Sequence, residues 1–107
     1  MCIRDRWIAK SRIKIEEARL LTLKTAWLMD TVGKDQARIE ISSIKVSVMD
    51  AATYVIDKAI QAHGAMGVSQ DTPLAKMAAG ARVLRIADGP DEVHLQSIAK
   101  REINKHR

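Results

Sequence analysis

The run QARIEISSIKVSVMDAATYVIDKAIQA, Gln36 to Ala62, contains neither proline nor glycine and repeats its apolar residues at helical spacing. Ala37, Ile41, Ile44, Val48, Ala52, Val55 and Ala59 form one stripe, and Ile39, Val46, Met49, Ile56 and Ile60 form another on a separate face. A surface helix of a monomer needs only one such stripe. Upstream, Gly33 reads as a helix stop and Asp35 as the cap of the next helix. The segment before it, Trp7 to Val32, again lacks Pro and Gly. It places Ile15, Ala18, Ala26, Met29 and Val32 on one side and Ile13, Leu20, Leu23 and Trp27 on the other. Two long helices with two apolar faces each imply a cover from another subunit or from a domain absent from this chain. The alternative is a wide apolar face buried wholly within a compact bundle.

Downstream, the chain breaks at Gly64-Ala-Met-Gly67. Thr72-Pro73 reads as an N-cap followed by proline at the first helical position, which predicts a third helix from Pro73 to about Ile86. Gly89-Pro90 restarts the chain, with Asp91 and Glu92 in a first turn where the helix dipole favours negative charge. The fourth helix is expected to end near Asn104. The predicted fold is all-α: a four-helix bundle of two long helices followed by two shorter ones, one domain over residues 7–107. Met1 to Arg6 shows no relation to this pattern and is expected to be a non-native or disordered start.

Composition supports helices. Apolar residues make up 47% of the 107, yet aromatics only 3% with no Phe, so Leu, Ile, Val, Ala and Met must build the core. The single Cys2 excludes an internal disulfide framework. No apolar run approaches the roughly 20 residues of a membrane span, and no secretory signal is visible at the charged start. The net charge of +5 gathers at the two ends. A solvated surface explains it; an anionic ligand is the functional reading, and no nucleic-acid motif accompanies it.

Two polar breaks carry the candidate chemistry. Gln61-Ala-His-Gly-Ala-Met-Gly67 is a helix end and turn, and the absent Cβ at Gly64 and Gly67 would let a flat or phosphorylated ligand approach the backbone. It follows a helix rather than a strand, which excludes a Rossmann fingerprint. Ala87-Asp-Gly-Pro-Asp-Glu-Val-His94 puts the Asp88 carboxylate on a loop beside Gly89, where a substrate has room. An aspartate before Gly-Pro is otherwise a turn residue. No metal-ligand spacing appears around Asp91, Glu92 and His94, so no metal is expected. His63 and His94 read as hydrogen-bonding residues.

In order and spacing these segments resemble the C-terminal helical domain of the acyl-CoA dehydrogenase family. The likeness begins at Ser11-Arg-Ile-Lys-Ile-Glu-Glu-Ala-Arg-Leu-Leu21 and Ala26-Trp-Leu-Met-Asp30. It continues through Gln61–Gly67 and Asp71-Thr-Pro-Leu74, and closes on Ala81-Arg-Val-Leu-Arg-Ile-Ala-Asp-Gly-Pro-Asp-Glu-Val-His94, with Asp88 lying 27 positions after Gln61. The resemblance implies FAD as cofactor, a fatty acyl-CoA thioester as substrate, and a homodimer or homotetramer. It implies that Gln61, Ala62, His63, Gly64 and Ala65 lie against the FAD of a neighbouring subunit. Pro90 and Glu92 would also approach FAD, Gly89 the acyl thioester, and Asp88 would take the place of the glutamate that abstracts the α-proton. The family's compartments are the cytoplasm in bacteria and the mitochondrial or peroxisomal matrix in eukaryotes.

Several positions depart from the family pattern. Asp88 stands where glutamate is usual, shortening the base by roughly 1 to 1.5 Å on ordinary bond lengths; some members carry the base on an upstream helix that this chain lacks. Pro90 replaces a threonine, Ala65 the second glycine of a Gly-Gly pair, and Ala79-Gly80 an Arg-Asp pair. The family's N-terminal helical and middle β-domains are missing, so the chain is expected to be an incomplete enzyme, inactive alone. An acyl-CoA oxidase domain, or a non-catalytic helical oligomerisation module, are the other readings.

Overall fold

The computed structural model describes residues 2–107; Met1, part of the expected irregular start, lies outside them. Four α-helices follow in order: α1 Ile3–Thr31, α2 Arg38–His63, α3 Leu74–Leu84 and α4 Asp91–Lys105. A single 3-10 turn, Gly64–Val68, joins α2 to the segment before α3. All four expected helices are present, two long and then two short, and no strand occurs among the described residues.

The ends differ from expectation in instructive ways. α1 starts at Ile3, upstream of the expected Trp7, and the Asp5 carboxylate accepts the Cys2 amide at 3.2 Å to close its first turn. Gly33 does stop α1: its φ of 88° lets its amide turn back to the Leu28 carbonyl at 3.1 Å. Asp35 is not the cap of α2. That position falls to Ala37, while the Asp35 carboxylate accepts from Arg38 at 3.1 Å. Nor does Thr72 cap α3. Its hydroxyl reaches back to the Met66 carbonyl at 3.4 Å, and Pro73 occupies the cap itself.

α2 organises the molecule. It packs on α1, α3 and α4, whereas the backbone of α1 comes close to neither of the short helices, nor do the backbones of those two come close to each other. From Ile39 to Ile60 every residue of α2 except Asp50 and Asp57 is at least half-buried. The side that α1 turns to α2 follows Trp7, Ser11, Lys14, Ala18, Leu21, Thr25 and Leu28, spaced alternately by four and three. This is the seam of a two-stranded coiled coil, and neither of the stripes read from the sequence coincides with it. The reason lies in its residue types. Small Ser11, Ala18 and Thr25 allow close approach, and the Thr25 hydroxyl, 1% exposed, donates to the Leu21 carbonyl at 2.7 Å. Lys14 and Lys58 lay their cations over the Tyr54 ring at 5.1 and 5.4 Å, and Lys58 also covers Trp7 at 5.3 Å.

The core is small. Among fully buried residues the apolar ones are Ala18, Ala37, Ala51 and Ala81, all alanines. Ile13, Leu20, Leu23 and Trp27 of α1 stand more than half exposed, Trp27 at 62%. The chain's exposed surface is 7747 Å², against roughly 6,000 Å² expected for a monomeric protein of its mass. Its radius of gyration, 16.4 Å, likewise exceeds the roughly 13 Å of a compact domain of this length. The two apolar faces of α2 are covered within the chain, whereas the large apolar residues of α1 stay open in the isolated chain.

Candidate functional site

The turn between α3 and α4 is built from both of its flanks. α3 ends at Leu84, and Arg85 to Asp88 continue as turns, with the Ile86 and Ala87 amides donating to the Val83 carbonyl. Asp88 then takes a left-handed backbone, φ 56°, and Gly89 a second, φ 98°. Left-handed backbone crowds a Cβ, and Asp is among the few side chains that tolerate it. Pro90 fixes an extended entry to α4. The result leaves Asp88 exposed among the residues that line a groove of about 520 Å³, with Thr22, Ile41, Ile44, Val48, Met49 and Leu84 as its largely apolar wall and Lys45 and His94 beside them.

Polar groups hold the turn's backbone. The Lys45 ammonium, reaching from α2, donates to the carbonyls of Leu84 and Ala87, the latter at 2.9 Å. These are carbonyls a helix end leaves without partners, and a cation there also suits the helix dipole. The His94 ring nitrogen Nε2 donates to the Asp88 carbonyl at 3.2 Å. A Cβ on Gly89 would stand 3.3 Å from that same nitrogen, so a side chain there would crowd the hydrogen bond. Across the turn, Arg85 donates to Asp91 Oδ2 through Nε at 3.0 Å and through Nη2 at 2.9 Å. Arg85 also lies 3.8 Å from Asp50, whose second oxygen pairs with Lys14 at 3.4 Å.

The other break lies elsewhere. Gln61, Ala62, His63, Gly64 and Ala65 are all exposed at the C-terminal end of α2. Val48, opposite the Asp88 groove, precedes Gln61 by 13 residues of helix, roughly 20 Å along the axis. One copy of the chain therefore does not bring the two breaks into a single site. His63 donates through Nδ1 to the Ala59 carbonyl at 2.7 Å, which leaves Nε2 as an outward-facing acceptor.

The two glycines of this break do different things. Gly64 has φ 64° and ψ −141°, a backbone reserved for glycine, and a Cβ built there would meet nothing within 4 Å. Gly67 is buried, and a Cβ on it would lie 2.6 Å from the Ile60 carbonyl oxygen and 2.9 Å from its Cα. Only Gly64 leaves backbone open to a ligand; Gly67 lets the 3-10 turn pack on α2. The exposed stretch Gln61–Ala65, with backbone open at Gly64, leaves room for a flat or phosphate-bearing group. The start of α4 fits only uncharged parts of one, because Pro90 offers no amide and Asp91 and Glu92 oppose the phosphate attraction of a helix N-terminus.

Sequence reasoning missed Lys45 and the Arg85–Asp91 pair. Lys45 had a legible signal, a lone cation between Ile44 and Val46 on an otherwise apolar helix. Arg85 had none, since its partner lies across a turn whose geometry the sequence does not display. His63 and His94 each bond to a backbone carbonyl. No group of three His, Cys, Asp or Glu side chains among the described residues is close enough to hold a metal.

A family profile described as "Acyl-CoA dehydrogenase, C-terminal domain" matches residues 3–103. The chain belongs to the acyl-CoA dehydrogenase family. Acyl-CoA dehydrogenase family member 11 of Rattus norvegicus is 62% identical over 97 residues, covering 91% of this chain and 12% of that protein. The Mycobacterium tuberculosis protein described as acyl-CoA dehydrogenase FadE2 is 51% identical over 100 residues, 94% of this chain and 25% of its own length. A solved Mycobacterium abscessus structure described as an acyl-CoA dehydrogenase superposes with a TM-score of 0.94 at 50% identity, over 96% of this chain and 25% of that one. This acyl-CoA dehydrogenase domain thus spans a quarter or less of the length of these relatives, which occur in bacteria and in animals. No helix among its described residues is long and apolar enough to cross a membrane.

Proposed function

We propose that this chain is the C-terminal helical domain of an FAD-dependent enzyme that introduces an α,β double bond into a fatty acyl-CoA thioester. It is inactive without the N-terminal and middle domains, and residues 7–107 carry the domain. The observation that carries the reading is Asp88, exposed on a left-handed turn among the residues that line an apolar groove. A general base needs a carboxylate within reach of the proton it removes and free of competing partners. In this reading the α C–H bond breaks and its proton passes to an Asp88 oxygen. Gly89 leaves space beside the thioester. FAD, when bound, supplies the acceptor for the β-hydrogen and its electron pair.

Gln61, Ala62, His63, Gly64 and Ala65 would hold the cofactor, with Pro90 and Glu92 against its uncharged parts. Because Gln61–Ala65 lie roughly 20 Å along α2 from the Asp88 groove, while Pro90 and Glu92 stand beside Asp88, the first set serves the cofactor of a neighbouring copy and Pro90 and Glu92 the cofactor at their own groove. That arrangement favours a homodimer or homotetramer, which would also cover the open faces of α1.

The test is anaerobic bleaching of flavin by acyl-CoA in the full-length protein, wild type beside Asp88→Asn. Wild-type bleaching that vanishes in the variant, with FAD and acyl-CoA still bound, is the expected result. Bleaching that survives moves the base to the upstream part of the enzyme. A full-length protein that holds no flavin refutes the enzyme reading and leaves a helical oligomerisation module.

A further inference from the structure

Asp88 is the one non-glycine residue with a left-handed backbone among the described residues. Such a conformation persists only where its surroundings over-determine it. Here the surroundings are unevenly arranged. Lys45 and His94 hold the carbonyls of Leu84, Ala87 and Asp88, while the Asp88 carboxylate itself has no hydrogen bond within the described residues. Backbone is fixed, and the side chain is left free.

Packing on α2 sets where α3 and α4 lie. Arg85 and Asp91 tie the end of one directly to the start of the other. They sit three residues on either side of Asp88, and two guanidinium N–H groups converge on one oxygen, Asp91 Oδ2. Both side chains are largely shielded, 23% and 19% exposed, so water competes weakly for them. The other oxygen, Asp91 Oδ1, is buried without a partner, so Arg85 is the group that keeps this carboxylate in place. Arg85 also lies 3.8 Å from Asp50 of α2, the residue after Met49 of the groove.

We propose that Arg85 and Asp91 are positioning residues, a clamp across the turn that sets the direction of the Asp88 carboxylate toward the groove. The inference rests on the reading of Asp88 as the base. Misplacement of a reacting group by about 1 Å can cost a hundredfold in rate, and the clamp controls displacements on that scale.

The test uses the full-length FAD-loaded protein and follows anaerobic flavin reduction over a range of acyl-CoA concentrations. Wild type, Asp88→Asn, Arg85→Met and Asp91→Asn are compared, with unlabelled and α-deuterated substrate. The expected result is a fall of at least tenfold in the limiting rate for both clamp variants. FAD content and the half-saturating acyl-CoA concentration should stay within twofold of wild type. The isotope effect should be at least as large as in wild type, because proton abstraction is the step that is slowed. Limiting rates within twofold of wild type in both clamp variants would overturn the proposal. So would loss of FAD from both, which would make the pair a folding element, or an isotope effect that disappears, which would place the slowed step outside proton abstraction. If Asp88→Asn itself reduces flavin at the wild-type rate, the base assignment is what fails, and the single variant separates that outcome from failure of the clamp.

Discussion

Replacing Gly67 with alanine should destabilise the protein, although the substitution adds one methyl group to a turn. Two terms oppose each other. Alanine lowers the entropy of the unfolded chain, which stabilises by about 0.4 to 1 kcal/mol where the native backbone accepts it. Against this, the new Cβ would lie 2.6 Å from the Ile60 carbonyl oxygen and 2.9 Å from its Cα, well inside the 3.4 Å at which ordinary contact begins. Those atoms belong to the α2 backbone and have no rotamer to change. The 3-10 turn must therefore move outward by most of an ångström. Overpacking of this kind costs about 1 to 3 kcal/mol, so the net loss is about 1 to 2 kcal/mol, roughly a five- to thirtyfold fall in the folding equilibrium. Gly80 provides the control. It sits inside α3, where a Cβ would meet nothing within 4 Å, so Gly80→Ala should stabilise by about 0.5 to 1 kcal/mol through helix propensity. Urea denaturation of the full-length protein, followed by helical circular dichroism, reads both signs. A Gly67→Ala protein as stable as wild type would refute the packing argument.

Lys45→Met keeps the apolar stem but strips the Leu84 and Ala87 carbonyls of their charged donor. A loss of about 1.5 to 3 kcal/mol is expected, measured as a lower urea midpoint, and an unchanged midpoint would show that water replaces the ammonium there. At the α1–α2 seam, Thr25→Leu should cost about 1 to 3 kcal/mol by overpacking. Thr25→Val should be nearly neutral, because the Leu21 carbonyl keeps its helical N–H partner. Equal effects of the two, in the same denaturation experiment, would mean that the hydroxyl rather than the shape matters.

The helices were legible because Gly33, Gly64 and Gly89 interrupt long runs at places where the chain needs positive φ, and each proved to have it. Periodicity gave α2 its two apolar faces for a sound reason: neighbours surround that helix. The same reasoning failed on α1, whose packed side alternates small Ser11, Ala18 and Thr25 with Trp7, Lys14, Leu21 and Leu28. Hydrophobic pattern locates surface that wants covering, and on α1 much of that surface stays exposed. Asp35 and Thr72 do not cap, because each side chain bonds a partner other than a backbone amide of the helix start: the Arg38 guanidinium for one and the Met66 carbonyl for the other. Asp88 was legible as a carboxylate in a turn. Its groove was not, since Thr22, Ile41, Lys45, Leu84 and His94 come from separate helices and meet only in the fold.

The hub position of α2 has a consequence for how the domain comes apart. Because the backbone of α1 comes close to no helix but α2, it can peel away without disturbing the backbone of α3 or α4, and the reverse holds for the short pair. The opening free energies of the two halves should therefore be separable in hydrogen exchange, with α2 amides protected longest. A direct side-chain relay spans the halves at one point: Asp50 on α2 accepts Lys14 from α1 and faces Arg85 at the end of α3. That aspartate gives the two halves a polar link beyond α2 itself.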